Sequence, residues 1–539
     1  MTHGGGAGSA LAIEVTEARL GAGSARVTPL ALAAITAVCV VLSIGSWPVG
    51  VFQDDGIYVV LAKSLATGEG YRFLQMPGAP NATHYPPFYP AFLAVLWRIW
   101  PQFPENVVLF KYANAVWLSL TAVLTYQFAR QWGRLGERAA VLMTLAFVSC
   151  APLMLLTVMV LSEPMFLACL VPALICCERA VRSGSGRDAL LAGVAVGLLS
   201  MVRSLGILAV PATVAALVWR KQWRAAGLLA LAAALTVAPW QWWVAQHARE
   251  VPAVYLGKYG SYFGWLTDAI RTEGPRWVLT VALHNLRMLT EQGWATTATE
   301  TLPAVVRWSA TVGLTAFFLG GLVLVGRRLP ATALYVTAYF AMVVVWPFAP
   351  ARFTWGVWPL VGLCYATAIQ WIWERRPAAP RVVAVFRQLG LGAAAALCIG
   401  YAGYNVKGVT HHWWDTVQQS VADRAHPLAE WVLANTKPTD VLATDDDVLI
   451  HLYTGRRAIP TGAFTPQEHV VPQTKAFASA TLRTILHTFP VDYVLASTEY
   501  GTYAVNGLIV ERPPEIRIVA VLKSGAVFAP TALGRPHAP

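Results

Sequence analysis

Charge is what this sequence has least of. Asp, Glu, Lys and Arg together make up 13% of its 539 residues, about half the share of a soluble globular domain. With 56% of residues hydrophobic and a mean hydropathy of +0.52, the chain cannot cover itself with polar surface in water, which excludes an ordinary soluble enzyme. Cysteine is sparse and badly placed for chemistry. Cys39, Cys150, Cys169, Cys176, Cys177, Cys364 and Cys398 lie in or at the edge of apolar runs, with no CxxC pair and none in a polar loop. Neither a disulfide framework nor a zinc–thiolate site is indicated. No internal repeat is visible. The net charge of +12 is not gathered into one patch, which argues against nucleic acid as a partner.

What is abundant is apolar sequence. Runs near 30–46, 107–128, 139–156, 161–178, 188–202, 206–219, 225–244, 308–326, 331–348, 354–373 and 388–404 give about eleven candidate transmembrane helices. The first lacks a cleavage site and reads as a retained anchor. The 22 Trp and 18 Tyr suit a chain with two membrane–water interfaces. Basic residues follow every second run: Arg130, Arg134 and Arg138; Arg179, Arg182 and Arg187; Arg220, Lys221 and Arg224; Arg327 and Arg328; Arg375, Arg376, Arg381 and Arg387. Arg19 and Arg26 of the N-terminus belong to the same set. Residues 1–27, rich in Gly and Ala, are expected to form a disordered cytoplasmic tail, and the opposite ends to face the exterior.

Three segments fall on that exterior side. Residues 47–106 form a long loop with two apolar helices expected at 57–66 and 88–100. Residues 245–306 form a second loop, rich in aromatics. From about 407 to 539 a small α/β domain is expected. Helices are predicted there at 427–435, 446–453 and 475–489, and strands at 441–444, 493–496 and 516–522. The intervening residues 28–406 make the membrane module. The fold class is therefore a polytopic α-helical membrane protein with a small C-terminal α/β soluble domain.

Ionisable residues near membrane depth are candidates for function. On the outer side these are Asp54, Asp55, Glu163, Arg203 and Arg352, with His84 and Lys258 in the loops. Carboxylates beside guanidiniums suggest a base working next to an anion. Plainer readings stand beside each. Asp54-Asp55 could cap the following helix, and Ser162-Glu163-Pro164 is ordinary helix-start sequence. Arg203 and Arg352 could snorkel to the interface. Asp445-Asp446-Asp447 reads as a helix cap, and His411-His412-Trp413-Trp414 as an interfacial aromatic belt.

Several motifs resemble one family. Gln53-Asp54-Asp55-Gly56-Ile57-Tyr58, followed by Ala62-Lys63-Ser64-Leu65 and Gly68-Glu69-Gly70-Tyr71, resembles the first outer loop of GT-C glycosyltransferases. That group contains the protein O-mannosyltransferases and the lipid A aminoarabinose transferases, whose usual motif there is Asp-Glu. Tyr85-Pro86-Pro87-Phe88-Tyr89-Pro90 looks like the family's Pro-Pro segment, Ser162-Glu163-Pro164 like its second acidic position, and Arg352-Phe353 like its late Arg-aromatic pair. Glu430-Trp431, Thr436-Lys437-Pro438 and Tyr453-Thr454-Gly455-Arg456-Arg457 are similar to its outer domain.

The resemblance implies a polyprenyl-phosphate-linked sugar donor and transfer with inversion at the outer face of a bacterial inner membrane. The acceptor would be a lipid, glycan or protein hydroxyl. Asp54 matches the catalytic base, Asp55 the acid after it and Glu163 the second acid. Where the aminoarabinose transferases carry Glu-Lys before Pro-Pro, this chain has His84-Tyr85, so donor-phosphate binding passes to Arg352, Arg203 or Lys258, with His84 beside them. A divalent metal near His84 and Asp55 stays open. The alternative reading is a polytopic lipid or solute transporter or flippase, which calls for internal symmetry and midplane charges. The topology has its own check: reporter fusions after Pro438 should be active only in an exterior assay, and a cytoplasmic signal there would overturn the placement of every candidate residue.

Overall fold

The computed structural model describes residues 27–297, 301–374, 381–510 and 514–532. The predicted tail, apart from Val27, lies outside these, as do Arg375 and Arg376. Each of the eleven apolar runs falls on a helix or a pair of consecutive helices. Among the described residues, Val107–Gln131, Glu163–Ser183, Trp223–His247, Ala304–Gly326 and Ala384–Asn435 are long and apolar enough to cross a membrane. The pair Glu137–Val148 and Ala151–Val158, bent by 48°, passes as a sixth. Val27–Ser43, Ser204–Trp219 and Pro330–Val345 are shorter apolar helices. Leu42 on Val27–Ser43, Leu235 on Trp223–His247, and Val312 and Val323 on Ala304–Gly326 are exposed, side chains that only lipid would cover.

The basic residues gather at one end of the bundle. Arg182 lies over the Trp132 ring at 4.2 Å, Arg328 Nη1 donates to Gly133 O at 3.1 Å and Arg220 Nη1 to Val181 O at 3.0 Å. Arginine donors there satisfy carbonyls left open at helix C-termini. At the other end, Lys111 Nζ donates to Gly45 O and Trp47 O, each at 2.9 Å. This is the end that carries the outer loops. Both predicted loop helices exist, as Asp54–Ala66 and Phe88–Ile99.

The C-terminal domain is built on one mixed sheet of order β2-β1-β3-β5-β4. Its strands are β1 Val441–Thr444, β2 Arg457–Ile459, β3 Tyr493–Ala496, β4 Ile516–Leu522 and β5 Gly525–Pro530. β1 runs parallel to β2 and β3, while β5 is antiparallel to β3 and β4. The three predicted strands occur at the expected residues. β2, β5 and the helix Glu499–Val510 were not foreseen; β2 is a three-residue strand and β5 ends on a proline.

Two expectations are corrected. The helix placed at 427–435 starts much earlier, as Trp413–Asn435, because Trp414, Gln418, Val421, Ala425, Leu428 and Val432 continue one buried stripe through Pro427. Trp414 is therefore core, 3% exposed, and the aromatic belt expected at 411–414 is instead a break where His412 turns left-handed at φ 47°. Asp445-Asp446-Asp447 does not cap either: Asp446, at the N-cap of Asp447–Thr454, makes no capping bond. The three carboxylates diverge. Asp446 takes a two-pronged contact from Arg424, Asp445 accepts from Thr461 and Thr498, and Asp447 accepts from Tyr259.

The last of these belongs to a seam that joins the domain to both outer loops. Val49 N donates to Tyr453 Oη at 3.0 Å, Ala458 N to Gln75 O at 2.8 Å and Tyr255 Oη to Pro460 O at 2.8 Å. Gly257 is obligatory there, since a Cβ would stand 1.8 Å from Phe464 O. Within the seam, burial pushes the Asp447 carboxyl from 3.8 up to about 7, against the partial relief from Lys258 and Tyr259. A folded state that keeps a proton the unfolded state has lost becomes less stable as pH rises between those values. Thermal unfolding in detergent should thus show a midpoint falling from about pH 4 toward pH 7, the window set by that shift. Asp447→Asn should flatten part of this slope; an unchanged slope would remove Asp447 as its source.

Candidate active site

The left-handed backbone at Gln53 (φ 66°) delivers the chain into the helix Asp54–Ala66, so that Asp54 and Asp55 both stand in its first turn. Consecutive helical residues point about 100° apart, given 3.6 residues per turn, and the doublet is split accordingly. Asp55 faces inward and is fully buried, its two oxygens accepting the Gly50 amide at 2.8 Å and the Phe52 amide at 3.0 Å. Burial lifts its carboxyl to about 6 against those amide bonds. It does not line the cavity in front of Asp54. Asp55, expected as the acid after the base, clasps the turn that presents Asp54.

Asp54 lines a cavity of about 590 Å³. Its Oδ1 accepts from Tyr85 Oη at 2.8 Å and its Oδ2 from Arg352 Nη1 at 2.5 Å. Burial would raise this carboxyl, but Arg352 and Tyr85 more than offset it and hold it below the usual carboxylate range. Asp54 is therefore ionised at any physiological pH.

Three further elements bring the partners. Glu163 opens the helix Glu163–Ser183; Ser162 before it makes no capping bond and instead contacts Tyr58 Oη and Arg203 Nη1, both at 3.0 Å. The helix-start reading of this tripeptide thus misses its tertiary use. Arg203 follows the helix Gly186–Val202 in extended backbone, and Arg352 sits on the short helix Pro350–Trp355. Glu163 Oε1 receives both, Arg203 Nη1 at 2.8 Å and Arg352 Nε at 2.7 Å, with the carboxylate fully buried. Arg352 also lies over the Phe52 ring at 4.8 Å, where a guanidinium gains from the ring's negative face. Two anions and two cations, drawn from sequence positions far apart, form one chain: Asp54–Arg352–Glu163–Arg203.

Glu163 stays behind the arginines, while Asp54, His84, Lys258, Arg203 and Arg352 line the cavity itself. The quartet is charge-balanced, so Lys258 adds positive charge to walls that are otherwise largely apolar, among them Leu205, Ile207, Met342 and Trp346. His84 Nδ1 lies 2.5 Å from Gly260 O and its ring lies tilted against that of Tyr262, centroids 3.8 Å apart. Burial pulls the imidazole down to about 4, so it is neutral. Among the described residues no group of three or more His, Cys, Asp or Glu side chains is arranged to hold a metal ion. Sequence reasoning missed Tyr58, Tyr85 as a donor to Asp54, and Phe464, which reaches the cavity from the C-terminal domain. Tyr85 had a local signal in its place directly before Pro86-Pro87, and Tyr58 in closing the Gln53–Tyr58 motif.

These features define a polytopic α-helical membrane protein with an attached α/β domain. No protein-family model and no curated protein matches the sequence. The structure is similar to the crystal structure of ArnT from Cupriavidus metallidurans bound to undecaprenyl phosphate. The TM-score is 0.53 at 15% identity, over 94% of this chain and 99% of that one. The apo state of the same protein gives 0.52 at 14% identity, over 96% and 100%.

The divided doublet makes a prediction. Asn in place of Asp55 would turn an amide donor toward a backbone donor and leave a buried N–H unpaired, a loss of about 1–3 kcal/mol. Asp55→Asn should lower the unfolding midpoint in detergent, whereas Asp54→Asn should leave it nearly unchanged. The reverse order would show that the two roles are exchanged.

Proposed function

We propose that this chain is a membrane glycosyltransferase that moves a sugar from a polyprenyl-phosphate donor to an acceptor hydroxyl, with Asp54 as general base. One observation carries the reading: an ionised carboxylate shares a largely apolar cavity with two arginines and a lysine. Such a cavity suits a substrate that is part lipid and part phosphate. The likeness in fold to a protein solved with undecaprenyl phosphate agrees with it.

In the proposed reaction Asp54 takes the proton of the acceptor hydroxyl. The freed oxygen attacks the sugar's anomeric carbon as the bond from that carbon to the phosphate oxygen breaks. A single displacement inverts the configuration, and the electron pair leaves with polyprenyl phosphate. Arg352, Arg203 and Lys258 stabilise that anion, the arginines through a planar fork matched to phosphate oxygens. His84, neutral and fixed by Gly260, orders the wall beside Asp54. Glu163 keeps the two arginines in place. In this reading the basic end of the bundle faces the cytoplasm of a bacterial cell. Residues 28–406 then form the catalytic membrane module, with the cavity and the domain of residues 407–539 on the exterior side.

The test is transfer by purified protein with a synthetic polyprenyl-phosphate sugar, the acceptor being found by mass spectrometry of envelope glycans in a deletion strain. Asp54→Asn should reduce turnover by roughly 10²-fold or more, the scale of general base catalysis, with folding intact. Full activity in that variant would end the mechanism.

A further inference from the structure

The carboxylate assigned as base is not free in this structure. Tyr85 occupies one oxygen and Arg352 the other. So engaged, it is a weak base. Each oxygen keeps a free lone pair, but the ion pair and the hydrogen bond both stabilise the charged form, and basicity is gained when one donor withdraws. Tyr85 is poorly placed to move: it is buried, and packs edge-on against Tyr58 at 5.3 Å. Arg352 is built differently. Its Nε is anchored on Glu163 Oε1 at 2.7 Å and its Nη1 holds Asp54, while Nη2 is buried with no partner. Glu163 Oε2 also lacks one. The guanidinium therefore has one fixed edge, one edge on the base and one donor to spare. Buried polar groups left unpaired are costly, and these two are poised to take new partners.

We propose that Arg352 is an exchangeable cover on Asp54. The phosphate of a lipid-linked donor competes with Asp54 for the Nη edge, and Arg352 turns about its anchor on Glu163. The base is uncovered only when the donor is bound. Glu163 is then a positioning residue: it keeps Arg352 within reach in both states and, through Arg203, holds a second cation beside the phosphate. The inference rests on the reading of this cavity as a polyprenyl-phosphate site. It adds an order of events, donor before proton transfer, with the base weakest while the donor site is empty.

Exchange makes Asp54 a competitor of the donor, which can be measured without turnover. The probe is undecaprenyl phosphate, bound to the full-length protein in detergent, with wild type, Asp54→Asn, Arg352→Gln and the double variant compared as a cycle. Coupling between competing partners is typically about 5–150-fold. Asp54→Asn should bind the probe about tenfold more tightly than wild type while inactive in transfer, within that range. Simple charge repulsion would also tighten binding, but that gain would survive in the Arg352→Gln background. Exchange predicts that it disappears there, because no guanidinium remains to be released. A gain that persists with Arg352→Gln, or no gain in Asp54→Asn, overturns the proposal. If wild type does not bind the probe at all, it is the donor reading that fails. Thermal unfolding confirms that each variant is folded. Should Arg352→Gln not be, Arg352→Lys replaces it: an ammonium lacks separate edges for Glu163 and Asp54, and the gain should shrink to below about threefold.

Discussion

The buried carboxylate of Glu163 is the constraint on which this site depends. A charge removed from water is tolerable only with opposite charge and hydrogen bonds close by. Here two guanidiniums meet on one of its oxygens, at 2.7 and 2.8 Å. That requirement brings the start of the helix Glu163–Ser183, the end of Gly186–Val202 and the short helix Pro350–Trp355 to one point. Asp54 then completes the charge balance from the first outer loop. Removing Glu163 would leave two guanidiniums uncompensated at low dielectric, a penalty of about 3–5 kcal/mol for a buried pair. Asp54, at the partly exposed end of the chain of charges, is less critical to the fold. The network thus ties three helices and a loop together.

The C-terminal domain is a second support for the same loop. Its helix Asp447–Thr454 packs on the turn before Asp54. Gly50 lies against Leu449, and a Cβ on Gly56 would stand 2.7 Å from Val448 Cγ1. Tyr453 receives the Val49 amide while Asp55 clasps the next two turns of the path, at Gly50 and Phe52. Phe464, beyond β2, forms part of the cavity wall. The domain accordingly acts on the site through packing, and the polar seam with Tyr259 and Asp447 couples that packing to protonation.

Hydropathy revealed the positions and order of the apolar helices, because lipid demands long apolar runs. The strands β1, β3 and β4 were equally legible, being apolar runs bounded by turns. Short β2 and the helix Glu499–Val510 were not, since their formation depends on pairing and packing against elements already in place. Trp414 and the aspartates 445–447 show the same limit. Local rules offered a belt and a cap, and tertiary contacts overrode both.

At the site, residue type and approximate depth in the membrane pointed to Asp54, Glu163, Arg203 and Arg352, because an ionisable group there needs a reason to exist. Spacing in the sequence held no information about their pairing: Arg352 and Asp54 are 298 residues apart. Nor could it separate the two aspartates of the doublet. Their adjacency looked like a shared role, and a rotation of about 100° along one helical turn sent one carboxylate to the cavity and the other to the backbone. The sequence by itself determined a membrane protein with ionisable residues at the ends of its apolar runs and an α/β appendage, since those follow from composition and periodicity. Which charges meet, and which carboxylate is left facing the cavity, was decided only by the folding of distant helices onto one buried anion.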